Sequence, residues 1–155
     1  MISINDRYSF GIISGIFANL LNNILDYIFY LIGINKYHMW QIAASAYLKI
    51  EDTKTIPALI IGAISDYSTA ALMGVSIIYL LYFTGSENFW LKGMSIGGMW
   101  WLFAFGVILR AKIGRIDPID IGTNLYHAAE HLLFGIIVAF IIVKYGKKLL
   151  QKQII

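Results

Sequence analysis

Cysteine is absent, so the chain has no disulfide, no thiolate nucleophile and no cysteine-based zinc or iron–sulfur site, and nothing marks its redox compartment. Proline is scarce, and no Ser/Pro-rich stretch divides the sequence, which points to one unit over residues 1–155. Charge is scarce too. Asp, Glu, Lys and Arg supply 14% of the residues, against about 25% in soluble domains. Hydrophobic residues take 59%, and the mean hydropathy is +0.70. These are the values of an integral membrane protein, with the lipid bilayer as its first partner. A net charge of +3 suits basic anchors at helix ends and anionic lipid headgroups, above all at the Lys144–Lys152 tail. A nucleic acid partner is disfavoured.

Four apolar segments use nearly the whole chain, approximately 8–34, 57–84, 91–109 and 120–145. Each is long enough at about 1.5 Å per residue to cross roughly 30 Å of hydrocarbon. The first is too long for a signal-peptide core, contains an acid and lacks a small-x-small cleavage site. Within it Gly11, Gly15, Asn19, Asn22 and Asp26 recur at helical spacing, a stripe of small and polar residues that must face protein. Gly62, Asp66, Thr69 and Met73 share one face of the second segment. Gly93 and Gly97 form a small-xxx-small pair in the third. Pro57 suits a first helical turn, Gly85 a helix stop, and Asp117-Pro118 a cap and first position.

The stretch 37–50 is too short to span. Its polar stripe of His38, Gln41, Ser45 and Lys49 predicts an amphipathic helix lying at the interface, with Trp40 and Tyr47, like Trp90 further on, as anchors near headgroup level. Glycines at matching positions (Gly74 with Gly135, Gly85 with Gly146, Gly11 with Gly93, Gly15 with Gly97) suggest two repeated hairpins, parallel about an axis along the membrane normal.

The chemistry is concentrated at the start of the last segment. His127, Glu130 and His131 lie on one helix face, and from Leu132 to Val143 no polar residue follows. Counting inward from the side of the loops 35–56 and 110–118, Asp26 and Asn22 lie about 10–18 Å deep, Asp66 about 14 Å and His127 to His131 about 12–20 Å. Acids and imidazoles from three helices thus meet at one level. A charged group there costs about 2.5 kcal/mol or more, so they must pair.

Three readings follow. Asp66, His127 and His131 are ligands for a divalent cation, or the aligned groups bind and pass protons in a transport or regulatory site. A proton conduit through so thin a bundle requires a homo-oligomer. Alternatively Asn19, Asn22, Asp26, Asp66, His127, Glu130 and His131 are only interhelical hydrogen-bond glue in a structural or partner-binding protein. The weakest is a membrane metalloenzyme: His127-Ala-Ala-Glu130-His131 matches H-x-x-E-H, but no acid follows Glu130 to serve as the further ligand. Two histidines on one turn also cannot clasp a haem from both faces. Catalytic residues are therefore not assigned.

The succession Phe10-Gly-Ile-Ile-Ser-Gly15, Ile61-Gly-Ala-Ile-Ser-Asp66, Tyr79-Leu-Leu-Tyr-Phe-Thr-Gly85, Leu91-Lys-Gly93 and His131-Leu-Leu-Phe-Gly135 resembles a group of small four-span membrane proteins of Firmicutes. The resemblance implies that architecture and a bacterial cytoplasmic membrane, and supplies no catalytic residues. The expected fold is all-α, a four-helix membrane bundle with the interfacial helix between its first two spans. The uninterrupted tail lysines place both chain ends in the cytoplasm.

Overall fold

The computed structural model describes residues 5–108, 111 and 121–151, and it is all-helical among these residues. Helix α1 (Arg7–Leu31) starts at Asp6, whose carboxylate accepts the Ser9 amide at 2.7 Å. That bond holds the Asp6 carboxyl below its ordinary range. After Gly33, left-handed at φ 79°, a short helix α2 (Met39–Ala44) leads through a 3-10 turn at Ile50–Asp52 into α3 (Ile56–Thr84). Pro57 sits in the first turn of α3, and Gly85, at φ 82°, ends it. Helix α4 (Phe89–Trp101) runs on as a π-helix over Leu102–Ile108, and α5 (Ile121–Tyr145) is followed by a 3-10 turn at Lys147–Leu150. The end of the third segment beyond Ile108, the Asp117-Pro118 start of the fourth, and Arg110, Lys112, Arg115 and Lys152 lie outside the described residues.

Helices α1, α3, α4 with its π-helical end, and α5 are each long and apolar enough to cross a membrane. Their outward faces are aliphatic and aromatic: Ile13, Phe17, Leu20, Ile24 and Ile28 of α1 are all exposed. The predicted stripe lies inside, since Gly11, Gly15, Asn19, Asn22 and Asp26 are buried together with Ser14 and Ala18.

Two helix pairs, α1 with α3 and α4 with α5, carry most of the packing, and α5 also touches α1 and α3. Glycine sets both approaches. A methyl at Gly15 would collide with the carbonyl oxygen of Ala70, and one at Gly74 with that of Gly11. In the other pair a methyl at Gly97 would strike the carbonyl of His131, and one at Gly135 that of Gly93. The interior then divides along the bundle axis. Toward the chain ends it is apolar, with Ile77, Ile78, Leu81, Val138, Ala139 and Ile142 fully enclosed. Toward the 32–55 loop it is polar. At the apolar end Arg7 donates to the Leu149 carbonyl at 2.7 Å and lies 3.7 Å over the Tyr82 ring, tying the C-terminal turn to α1 and α3.

The stretch 37–50 departs from expectation. Its α-helix covers only Met39–Ala44, and three of the four stripe residues turn inward: His38, Gln41 and Ser45 are buried, whereas Lys49 is exposed and Tyr47 is 62% exposed. Gly62 explains the docking, because any side chain there would collide with the Trp40 carbonyl. Trp40 is half-buried with its indole nitrogen enclosed, while Trp90 is exposed.

Replacing Gly15 with Leu must push α1 off α3, an overpacking cost of about 1–3 kcal/mol. Thermal unfolding in detergent should register the loss. Gly106→Ala is the control, since its added methyl meets only Leu102 Cγ at 3.8 Å. Equal melting of both variants and the native chain would contradict the backbone-contact account.

Candidate functional site

The polar half of the interior is built from α1, α2, α3 and α5. On α1, Asn19 and Asn23 stand one turn apart and both donate to a single oxygen of Asp66 on α3, Oδ2, at 2.6 and 2.8 Å. The Asn23 amide also donates to the Asn19 carbonyl at 2.9 Å, which fixes its orientation. The indole N–H of Trp40 interacts with the same carboxylate without reaching hydrogen-bond geometry.

One turn further along α1, Asp26 has a different set of partners. Its Oδ1 accepts from the Asn35 side chain at 3.0 Å and its Oδ2 from the backbone N–H of Met39 at 2.7 Å. The second bond satisfies a donor at the start of α2, so Asp26 caps that helix from a distance. On α5, His127 Nδ1 pairs with Glu130 Oε2 at 2.8 Å. His131 donates from Nδ1 to the His127 carbonyl at 2.8 Å, an arrangement that leaves Nε2 as its other ring nitrogen. Phe105, from the π-helical segment, stands 5.1 Å from the His127 ring and 5.8 Å from that of His131.

The metal set expected from sequence, Asp66 with His127 and His131, is not the one gathered here. Among the described residues the group that offers metal-ligand atoms within 4.8 Å of one another is Asp26, His127 and Glu130. Asp66 and His131 stand apart from it and line a cavity of 330 Å³, together with Asn19, Asn22, Asn23 and Glu130. Glu130 thus belongs to both. Within the H-x-x-E-H pattern His127 is paired with Glu130, and His131 is turned to the His127 backbone carbonyl and lies outside the metal-ligand group.

Sequence reasoning missed Asn23, Asn35 and the inward role of Gln41, whose Oε1 lies 3.4 Å from the His38 amide nitrogen. Asn23 was findable, being a full turn after Asn19. Asn35 carries no periodic signal, since it reaches Asp26 from a non-helical turn. His38 packs edge-on against Tyr27, Tyr30 and Trp40, and burial pushes its imidazole below the usual 6.5.

No family model, curated protein or solved structure matches the chain. What the site does must be argued from its own geometry.

Two outcomes follow. Asn19→Leu should destabilise the protein, and its cost should largely disappear in an Asp66→Leu background. The coupling in that double-mutant cycle should be about 0.6–1.7 kcal/mol, the range for hydrogen bonds between membrane helices. For His38 the neutral form is favoured in the folded state, so its contribution is intact above about 6.5 and declines as the pH falls and the unfolded imidazole takes up a proton. Melting temperatures from pH 8 to 5 should fall less steeply for His38→Gln than for the native chain; parallel curves would remove His38 from the account.

Proposed function

We propose that the chain is an integral membrane protein, a bundle of four spans that binds a divalent cation at Asp26, His127 and Glu130 in a transport or regulatory role. Its membrane is read as the bacterial cytoplasmic membrane, with both chain ends inside. The inverted distribution of polarity supports insertion, since aliphatic side chains cover the outside while Asn19, Asn22, Asp26 and His127 are enclosed. The two hairpins are a duplicated unit on this reading. Their glycine contacts correspond one for one, Gly15 on Ala70 with Gly97 on His131 and Gly74 on Gly11 with Gly135 on Gly93.

The observation that carries the cation reading is the buried group itself. Two carboxylates and one imidazole converge from α1 and α5, and the one salt bridge among the described residues is that of His127 with Glu130. Two carboxylates balance a divalent charge, and an imidazole beside them suits zinc, manganese or iron better than calcium. Ligand atoms on a tetrahedral zinc are about 3.4 Å apart, closer than the 4.8 Å within which these three atoms lie, so a bound ion draws the side chains together.

The alternative, in which the group only fastens helices, has an observation of its own. Both oxygens of Asp26 already accept hydrogen bonds, from Asn35 and Met39. Metal analysis separates the two readings. Protein purified in detergent without chelator should carry a stoichiometric divalent ion, lost in Asp26→Asn and Glu130→Gln and retained in Asp66→Asn. Its melting temperature should rise when that ion is restored to stripped protein. Metal-free native protein whose melting ignores added zinc, manganese and iron would leave the fastening role.

A further inference from the structure

The cavity beside the acidic group is built for a different ligand. One wall carries the Asp66 carboxylate, held by two neutral amides on the same oxygen, Oδ2. Amide donors position that charge without cancelling it. Among the described residues neither Lys nor Arg lines the cavity, and none forms a salt bridge to Asp66. A negative charge enclosed among helices calls for a positive one. Besides Glu130 and His131 of α5, the rest of the lining is largely apolar and in part aromatic, with Ile42 of α2, Met73 of α3, Phe105 of the π-helical segment and Phe134 of α5.

Size and lining together argue against a bare inorganic ion as the natural occupant of this space, although Asp66, Glu130 and three asparagines lie on it. Such an ion needs a close shell of several oxygens, whereas 330 Å³ faced largely by carbon falls at the small end of pockets that hold organic ligands. The lining reaches the surface between the segment after α2 and α3. There Tyr47, well exposed, also lines the cavity, and its hydroxyl is 3.2 Å from that of Ser65.

We propose that this cavity binds an organic monocation, its ammonium group against Asp66 and its apolar body against Met73, Phe105 and Phe134. The aromatic rings favour a quaternary or protonated amine. The same ammonium chemistry is offered by a free amine and by the ethanolamine headgroup of a phospholipid. Glu130 borders both this cavity and the divalent-cation group, but Asp66 takes no part in that group, and binding against Asp66 is read with metal removed, so either proposal can fail without the other.

The test is a titration of the full chain in neutral detergent, with chelator present to silence any metal, using benzyltrimethylammonium and its uncharged carbon isostere neopentylbenzene. Benzyltrimethylammonium should raise the melting temperature saturably, and neopentylbenzene should not. Asp66→Asn, which keeps shape and removes charge, should weaken binding about 30-fold or more. Ala43→Phe, which fills the cavity from α2 and leaves Asp66 in place, should abolish it; this second variant decides the matter if the first does not fold. Nanodiscs of phosphatidylglycerol with and without phosphatidylethanolamine separate the sources: competition by the latter identifies a lipid headgroup, and its absence a free amine. No saturable shift in the native chain, an equal response to the neutral isostere, or binding untouched by either variant would each overturn the proposal.

Discussion

Backbone contact at glycine is the constraint on which the rest depends. For helices as apolar on their outer faces as these, a bilayer supplies no hydrophobic drive to association, which then rests on close packing and on polar contacts that close packing brings within reach. At Gly15 the α1 backbone meets the carbonyl of Ala70 with no room for a methyl. One turn along α1 from that contact stands Asn19, and one turn back along α3 stands Asp66, which is why a side chain as short as asparagine closes the gap at 2.6 Å. The mirrored contact of Gly97 with His131 holds α4 against α5 and sets how near Phe105 comes to the imidazoles.

Charge in the polar half is handled unevenly, and that unevenness shapes the loop. Asp66 is served by side chains of a neighbouring helix, whereas Asp26 reaches into the connection after α1 and takes the Met39 amide. The acid therefore organises its own cover. With α2 pinned at its N-terminus by Asp26 and seated at Gly62, the segment lies across the polar end of the bundle and encloses Asn35 and His38. A stripe that would face water in a soluble protein faces the interior here, because in this bundle the polar partners are inside.

The helices and the polar level were legible, since apolar length and i, i+4 recurrence survive without tertiary information. The stripe Gly11, Gly15, Asn19, Asn22, Asp26 is buried as its spacing required. Pairing was not legible. Counting residues from a helix end gives height along the axis and says nothing of position around it, so the height that put Asp66 with His127 and His131 fitted Asp26 as well. It is Asp26 whose carboxylate lies within 4.8 Å of ligand atoms of His127 and Glu130. The facing of α2 was illegible for a related reason: periodicity identifies two faces but not which one meets protein. Whether the bundle holds a ligand at either site was not written in spacing at all.

The π-helical end of α4 was equally hidden, and it matters to the site. Continued as an α-helix from Gly97, the face toward α5 would pass through Trp101 and Ala104. The wider i→i+5 turn over Leu102–Ile108 delays the inward position by one residue, and Phe105 is buried where Ala104 is only half-buried. A ring instead of a methyl then abuts both His127 and His131. The irregular turn thus sets against the His127 and His131 imidazoles an aromatic ring that also lines the cavity beside Asp66.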